Sequence, residues 1–182
     1  MKPARGAILR GLANASGSWH ECEEMTAGPP HTMIRSYEES DWPEICRVYD
    51  AAKPLELIMD GVQPSFPPLA ADKMWVDNFR SNHVFVATDG DRLTGFAGYT
   101  GPYIGWMFVD PACFRRGIGR ALLRRLLEEI DGDAWLWSLK GNDRAAALYR
   151  NEGFEPIDER PAKHGDRSCT AVIWQYTPKL PD

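Results

Sequence analysis

The 182-residue sequence lacks the features that mark several common classes of protein. Its four cysteines, Cys22, Cys46, Cys113 and Cys169, form no CxxC pair and no other ligand spacing. We therefore predict neither a disulfide framework nor a zinc site. No segment approaches the ~18 consecutive apolar residues that span a bilayer. These absences lead us to expect a soluble, cytoplasmic protein without a membrane partner.

Net positive charge is also missing. The 21 lysines and arginines are outnumbered by 26 aspartates and glutamates, which gives a formal net charge of -5. An acidic chain argues against nonspecific binding to nucleic acid, because that binding depends on basic surface. His83 and His164 have no partner at metal-ligand spacing. We expect neither a nucleic-acid partner nor a metal.

The first 32 residues differ from the rest of the chain. Arg10 interrupts the apolar stretch that a signal peptide would need. We expect residues 1–32 to be a poorly ordered tail, or an extension upstream of a start at Met33. A short targeting presequence is the alternative, since no acidic residue precedes Glu21. We expect residues 33–182 to form one domain, because this length fills a single core.

From Met33 onward, the apolar periodicity predicts the order β α α β β β α β α β β. The Asp89-Gly90-Asp91 stretch predicts a hairpin, and the first helix is expected to end near Lys53, before Pro54. Strand-helix-strand units imply parallel pairing in the middle of a mixed α/β sheet with helices on both faces. Trp135 and Trp137 alternate along one strand and are expected in the core rather than in a substrate site.

The segment "VDPACFRRGIGRALL" combines a strand that stops at Pro111, two glycines, three arginines and the start of a leucine-striped helix. The free N–H groups and the positive dipole end of a helix N-terminus attract anions, and glycine lets a phosphate approach closely. The alternative is that Gly117 and Gly119 only relieve crowding at a strand-to-helix turn. The glycines alone leave these two interpretations even. The third glycine of a GxGxxG fingerprint is absent, because Leu122 stands there.

Two motifs together resemble the GNAT superfamily, the acetyl-CoA-dependent N-acetyltransferases. "VDPACFRRGIGRALL" resembles their [Q/R]xxGxG/A pyrophosphate loop, although Phe114 occupies the place of the glutamine or arginine. "GNDRAAALYRNEGF" resembles their second segment. The matching residues there are Asn142, Ala145, Leu148, Tyr149, Gly153 and Phe154. The resemblance covers about residues 33–177. It implies the GNAT fold, a sheet of six to seven strands flanked by about four helices.

The resemblance also implies acetyl-CoA as cosubstrate and a set of residues that contact it. These cofactor-binding residues are Met107, Phe108, Val109, Arg115, Arg116, Gly117, Ile118, Gly119, Arg120, Asn142 and Tyr149. Asn142 is equally well placed to cap a short helix. By the resemblance, Tyr149 is the general acid. A phenol with a pKa of about 10 is protonated at neutral pH and therefore has a proton to offer the departing sulfur.

The general base is not evident, because the strand Tyr103–Val109 carries no acid. Asp110 is the nearest carboxylate, although its place before Pro111 also suits a strand-end turn. Glu56 and Asp60 lie in a proline-rich stretch that often helps to form the acceptor site in this family. They are predicted to attract a cationic amine, with a solvated loop as the alternative. Water that relays the proton to bulk is another route.

The resemblance implies transfer of acetyl from acetyl-CoA to a primary amine of a small molecule, protein or peptide, by direct attack in a ternary complex. The missing strand glutamate leaves a non-catalytic acyl-CoA-binding module as the alternative. Homodimers are common among similar proteins, but no residue pattern here specifies one.

Overall fold

The computed structural model describes residues 32–57, 66–164 and 167–178. A seven-stranded sheet has the order β1-β2-β3-β4-β5-β7-β6. The strands are β1 (Met33–Ser36), β2 (His83–Asp89), β3 (Arg92–Thr100), β4 (Tyr103–Val109), β5 (Ala134–Leu139), β6 (Glu155–His164) and β7 (Arg167–Tyr176). The α-helices within these ranges are α1 (Trp42–Leu57), α2 (Lys73–Arg80), α3 (Ile118–Glu129) and α4 (Asp143–Asn151). The predicted fold class and element order are confirmed.

The sheet is antiparallel except where β4 meets β5. This parallel pair is the consequence of the β4-α3-β5 crossover and confirms the predicted parallel pairing. The two strands share a single register pair, Tyr103 with Trp135, and part beyond it. On the other side of β4, the register with β3 shifts between Gly98 and Tyr99, which leaves Gly105 as an irregularity. The parting of β4 and β5 opens the centre of the sheet.

Each face of the sheet has its own apolar core. Residues of α1 and α2 pack on one face, where Phe79, Phe96 and Trp106 are almost fully buried. On the other face, α3 and α4 cover a second cluster that includes Leu136 and Trp174. The predicted apolar stripe of α3 is buried at every position: Ile118, Leu122, Leu126 and Ile130. Two helical layers thus fix the sheet from both sides, as the strand-helix pattern predicts.

The predicted end of the first helix is wrong, because α1 continues through Pro54 to Leu57. Proline lacks an N–H and removes one helical hydrogen bond. The loss falls in the last turn, where Leu57 is buried and Lys53 forms an ion pair with Glu56. These contacts offset the missing bond. The extra turn carries Glu56 toward the centre of the sheet.

No helix within the described ranges combines the length and the apolar character needed to cross a membrane.

Candidate active site

A cleft of about 990 Å³ lies where β4 and β5 part. Its walls come from β4, from the first turns of α3 and α4, and from the last turn of α1. The structure brings together all the residues predicted to bind the cofactor except one. Those that line the cleft are Met107, Phe108, Val109, Arg115, Gly117, Ile118, Gly119, Arg120, Asn142 and Tyr149. The exception, Arg116, is not part of the lining.

The start of α3 is a helix N-terminus without a side-chain cap. Gly117 is the N-cap, with a φ of +82° that an L side chain rarely adopts. The first N–H groups of a helix have no partner within it, and here they belong to Ile118, Gly119 and Arg120. The positive end of the helix dipole adds to their attraction for an anion. This end of the cleft is therefore suited to a phosphate.

Gly119 also has a packing reason to be glycine. A Cβ at this position would lie 3.3 Å from Cδ2 of Leu148 and 3.6 Å from Cγ2 of Val109. Glycine thus lets the first turn of α3 approach α4 and the end of β4 closely. Its role at a tight turn and its role beside an anion are compatible.

The arginines of the loop before α3 have different surroundings. Arg116 is held by the carboxylate of Asp89 at 2.7 Å, which directs it away from the cleft. Arg120 lines the cleft but binds the carboxylate of Glu152 at 2.9 Å. Arg115 has a φ of +65°, which is uncommon for a residue other than glycine. Charge near the cleft is thus partly neutralised by the chain's own acids.

Asn142 caps α4, as the sequence predicts. Its Oδ1 accepts a hydrogen bond from the N–H of Ala145 at 3.2 Å. Asn142 also lines the cleft. The first turn of α4 is therefore capped by the side chain of Asn142, a residue that also belongs to the cleft lining.

Tyr149 is 5% exposed and packs between the rings of Phe154 and Trp174. Burial raises the pKa of its hydroxyl above the ordinary value, and the nearby Glu56 carboxylate and Tyr103 add to the rise. The phenol consequently stays protonated at neutral pH. It remains a lining residue of the cleft, which is the position a proton donor needs.

The last turn of α1 supplies an ion pair to the same cleft. Lys53 Nζ lies 2.7 Å from Oε2 of Glu56, and the two side chains are 8% and 19% exposed. The ammonium group also lies 5.8 Å from the ring centroid of Phe108. Both residues line the cleft. The sequence prediction omitted Lys53, although its i,i+3 spacing to Glu56 was a usable signal.

The other acid predicted to contact the acceptor, Asp60, lies outside the described residues. The structure brings Glu56 to the cleft and has no bearing on Asp60.

Asp110 is 3% exposed and tied to two arginines. Its Oδ2 accepts from Arg47 at 2.7 Å and from Arg92 at 2.8 Å, and its Oδ1 accepts from the N–H of Ala112. Although burial acts in the opposite direction, these hydrogen bonds lower the pKa of the carboxyl. Asp110 is not among the residues that line the cleft. A carboxylate held this way is a poor base, so the structure favours the strand-end turn over the predicted role as a base.

Trp135 and Trp137 do not lie in the core, contrary to the sequence prediction. They are 39% and 38% exposed. The reason is that α1 and α2 pack over β3 and β4 on that face, and no described helix extends over β5. Trp137 Nε1 donates to the hydroxyl of Tyr103 at 2.8 Å, and Tyr103 stacks on Trp135 with centroids 4.3 Å apart. Trp137 also lines the cleft.

Among the described residues, no group of three or more histidine, cysteine, aspartate or glutamate side chains is arranged to hold a metal ion.

Comparison with known families decides the assignment. The acetyltransferase (GNAT) domain family matches residues 80–156, a span that contains β4, α3, α4 and both motifs. The match identifies a GNAT domain in residues 80–156 of this chain. The resemblance seen in the sequence is confirmed, and the cleft lies where the matched segments meet.

Two relatives share parts of this chain. The N-alpha-acetyltransferase RimI of Mycobacterium tuberculosis is 41% identical over 88 residues, which are 43% of this chain and 56% of RimI. An uncharacterized protein of Mycobacterium leprae is 37% identical over 123 residues, which are 63% of this chain and 33% of that protein. The chain spans between a third and a little over half of the length of these relatives.

A solved structure has the same fold. The yncA protein of Salmonella typhimurium, whose structure holds its cofactor acetyl-CoA, superposes with a TM-score of 0.62 at 18% sequence identity. The match covers 83% of this chain and 98% of that one. It extends the GNAT fold over nearly all of the described residues.

Proposed function

We propose that this GNAT protein transfers the acetyl group of acetyl-CoA to a primary amine by direct attack within a ternary complex. One observation carries the proposal. A single cleft holds an uncapped helix start suited to phosphate and a buried, protonated tyrosine. Binding and reaction of a phosphorylated cosubstrate would use both.

The residues present fit acetyl-CoA. The N–H groups at the start of α3 suit a pyrophosphate, and Gly117 presents no side chain there. Further along the cleft, Met107 to Val109 lie where β4 has parted from β5. Among the described residues, no strand pairs with their backbone groups on that edge, so these groups suit the amides of a pantetheine arm. Arg115 and Asn142 complete the proposed cofactor contacts, and Asn142 offers its amide NH2 because its Oδ1 caps α4. Arg116 and Arg120 contribute less, because Asp89 and Glu152 neutralise their charge.

Tyr149 is the proposed general acid. Acetyl-CoA supplies an activated thioester, and its reaction with an amine releases a thiolate. As the C–S bond breaks, the phenol of Tyr149 donates its proton to the departing sulfur. A phenol is a weaker acid than a thiol, so the step is completed when solvent returns a proton to the phenolate. The proposed stabiliser of the carbonyl oxygen under attack is a backbone N–H near Val109.

Glu56 is the proposed contact for the amine. Its carboxylate lies near enough to Tyr149 to raise the pKa of that phenol. Carboxylates attract ammonium groups, so Glu56 orients the amine while water carries its proton to bulk. A polypeptide N-terminus is the acceptor class we favour, because the relative RimI is an N-alpha-acetyltransferase. Asp60 remains a proposed second contact.

The test is release of CoA thiol from acetyl-CoA over a panel of amines: peptides with free N-termini, polyamines, amino acids and aminoglycosides. The matched control is each peptide with its N-terminus blocked. We expect turnover with at least one free N-terminus and none with its blocked form.

The competing function is an acyl-CoA-binding module without catalysis. It is favoured by the absence of an acid on β4. Tight binding of CoA with no thiol release from any amine would establish the binding module and contradict the proposed acetyl transfer.

A further inference from the structure

Arginines cluster around the starts of α3 and α4, and most of them already have a carboxylate partner. The pairs are Arg116 with Asp89 at 2.7 Å, Arg120 with Glu152 at 2.9 Å, Arg124 with Glu152 at 2.6 Å and Arg125 with Glu128 at 3.1 Å. Within the described part of the chain, Arg115 and Arg144 form no such ion pair. Arg115 and Arg144 therefore carry the positive charge at the cleft that no described carboxylate neutralises.

Arg144 is held in place by an aromatic ring instead of an acid. It stands in the first turn of α4, and its guanidinium carbon lies 3.9 Å from the ring centroid of Phe114. Phe114 directly follows the short turn Pro111–Cys113 and is half-buried. Both side chains line the cleft. The contact thus joins the loop before α3 to the start of α4 across the mouth of the proposed phosphate site.

This contact leaves the donors of Arg144 available. A guanidinium that lies over a ring uses its flat face, whereas its five N–H groups project from the edge in the plane. That edge matches the oxygens of a phosphate in a bidentate manner. The exposed carboxylate of its neighbour, Asp143, belongs to the first turn of α4 and forms no ion pair with Arg144. Arg144 is consequently presented as an anion-binding group with a fixed direction.

Phe114 stands where the family pattern has glutamine or arginine. The structure shows what accompanies the change. Phe114 supplies no hydrogen-bond donor itself, but it supports Arg144, which supplies several. Arg144 of α4 thus offers the hydrogen-bond donors that a glutamine or arginine at position 114 would offer from the loop.

We propose that Arg144, supported by Phe114, binds a phosphate group of coenzyme A. This inference rests on the proposed function and adds a cofactor-binding residue that neither motif assigns. The shared chemistry is a phosphate oxygen. It belongs either to the diphosphate near α3 or to the 3′-phosphate of the nucleotide, and the experiment separates these two sources.

The experiment measures the Kd of the full chain for CoA, 3′-dephospho-CoA and pantetheine by calorimetry. Arg144→Gln is compared with wild type and with Arg150→Gln. Arg150 is a matched control, because it is also an exposed arginine of α4 over an aromatic ring, Trp174, but lies outside the cleft lining. We expect Arg144→Gln to weaken CoA binding about tenfold, the size of one charge-assisted hydrogen bond. Arg150→Gln should bind CoA as wild type does.

The phosphate is identified by the shortened ligands. If the loss disappears with 3′-dephospho-CoA, Arg144 binds the 3′-phosphate; if it persists, Arg144 binds the diphosphate. Pantetheine, which has no phosphate, should bind both proteins equally. An equal loss with pantetheine overturns the inference, because the substitution would then disturb the cleft as a whole.

Phe114→Leu gives an independent test that leaves the charge in place. We expect CoA binding to weaken about two- to fivefold, since a cation–π contact at an exposed site is worth a small energy. In the Arg144→Gln background the same change should have no further effect. Additive losses would contradict the supporting role of Phe114.

Failure of this inference is distinguishable from failure of the proposed function. If the wild-type chain does not bind CoA, both the proposed function and the role of Arg144 are contradicted. If the wild type binds CoA and Arg144→Gln binds it equally well, only the role of Arg144 is contradicted.

Discussion

The two helices that open into the cleft begin in different ways. At the start of α3, Gly117 provides no side chain, so the first N–H groups remain free. At the start of α4, Asn142 caps the helix by accepting from Ala145. The difference assigns different tasks: α3 offers its backbone, whereas α4, already satisfied, offers side chains such as Arg144 and Tyr149. Substitutions at the start of α3 should therefore change CoA binding through the backbone N–H groups. Substitutions in α4 should change binding or catalysis through the side chains.

The largest effect is expected at Tyr149. Because general acid catalysis typically contributes at least about a hundredfold to a rate, Tyr149→Phe should lower kcat by about that factor. The Kd for CoA should change little, since the phenol hydroxyl is not the main contact of the cofactor. Tyr176→Phe is the control, because Tyr176 packs on Phe154 in the same aromatic cluster. Steady-state kinetics and calorimetry measure both quantities. An unchanged kcat for Tyr149→Phe would exclude Tyr149 as the acid.

Asp110 precedes α3 and should matter for stability rather than chemistry. Asp110→Asn removes the charge that Arg47 and Arg92 share, which we expect to cost about 2–3 kcal/mol of unfolding free energy at pH 7. Because folding lowers the pKa of Asp110, its contribution is present above the unfolded pKa of about 4 and is lost as pH falls through the folded value. The difference from wild type should thus shrink on acidification.

Urea unfolding at several pH values checks this prediction, with kcat measured on the folded variant. A stable Asp110→Asn protein with a kcat at least a hundredfold lower would instead support Asp110 as the base.

A comparison of Gly117 with Gly90 distinguishes the effect of backbone strain on stability from an effect on ligand binding. Both have a positive φ, +82° and +59°, and neither would place a Cβ within 4 Å of another residue. Gly117→Ala and Gly90→Ala should each cost about 1–2 kcal/mol of stability, the penalty of a left-handed conformation. Only Gly117→Ala should also weaken CoA binding, because Gly90 lies in the β2-β3 hairpin. Equal CoA affinity in both variants would contradict the role of the α3 start.

Asn142→Ala should have the smallest effect. Loss of an N-cap costs about 1 kcal/mol of stability. Because the cap uses its Oδ1 and leaves only the amide NH2 for the cofactor, CoA affinity should fall by no more than about threefold, less than the 1.4 kcal/mol that a tenfold change represents. Thermal unfolding and calorimetry measure the two quantities. A tenfold or greater loss of affinity would make Asn142 a main contact of the cofactor.

The parts of the site that the sequence predicted are those built from local patterns. Gly117, Asn142 and the leucine stripe of α3 each act within one turn or one helix, so their spacing contains the information. The order of strands and helices follows from periodicity in the same way.

The remaining features depend on packing between distant segments. Pro54 predicts a helix end, but the burial of Leu57 extends α1 beyond it. Trp135 has the composition of a core residue and is exposed because no described helix lies over it. The Arg144–Phe114 contact joins residues that are thirty positions apart. No local pattern contains these facts.

The measurement that tests the account most directly is a titration of the isotope-labelled protein with CoA, followed through backbone amide chemical shifts. We predict the largest shifts at Ile118, Gly119 and Arg120, whose N–H groups are free, and a much smaller shift at Ala145, whose N–H is held by Asn142. CoA binding that leaves the amides of the α3 start unshifted would contradict the central claim.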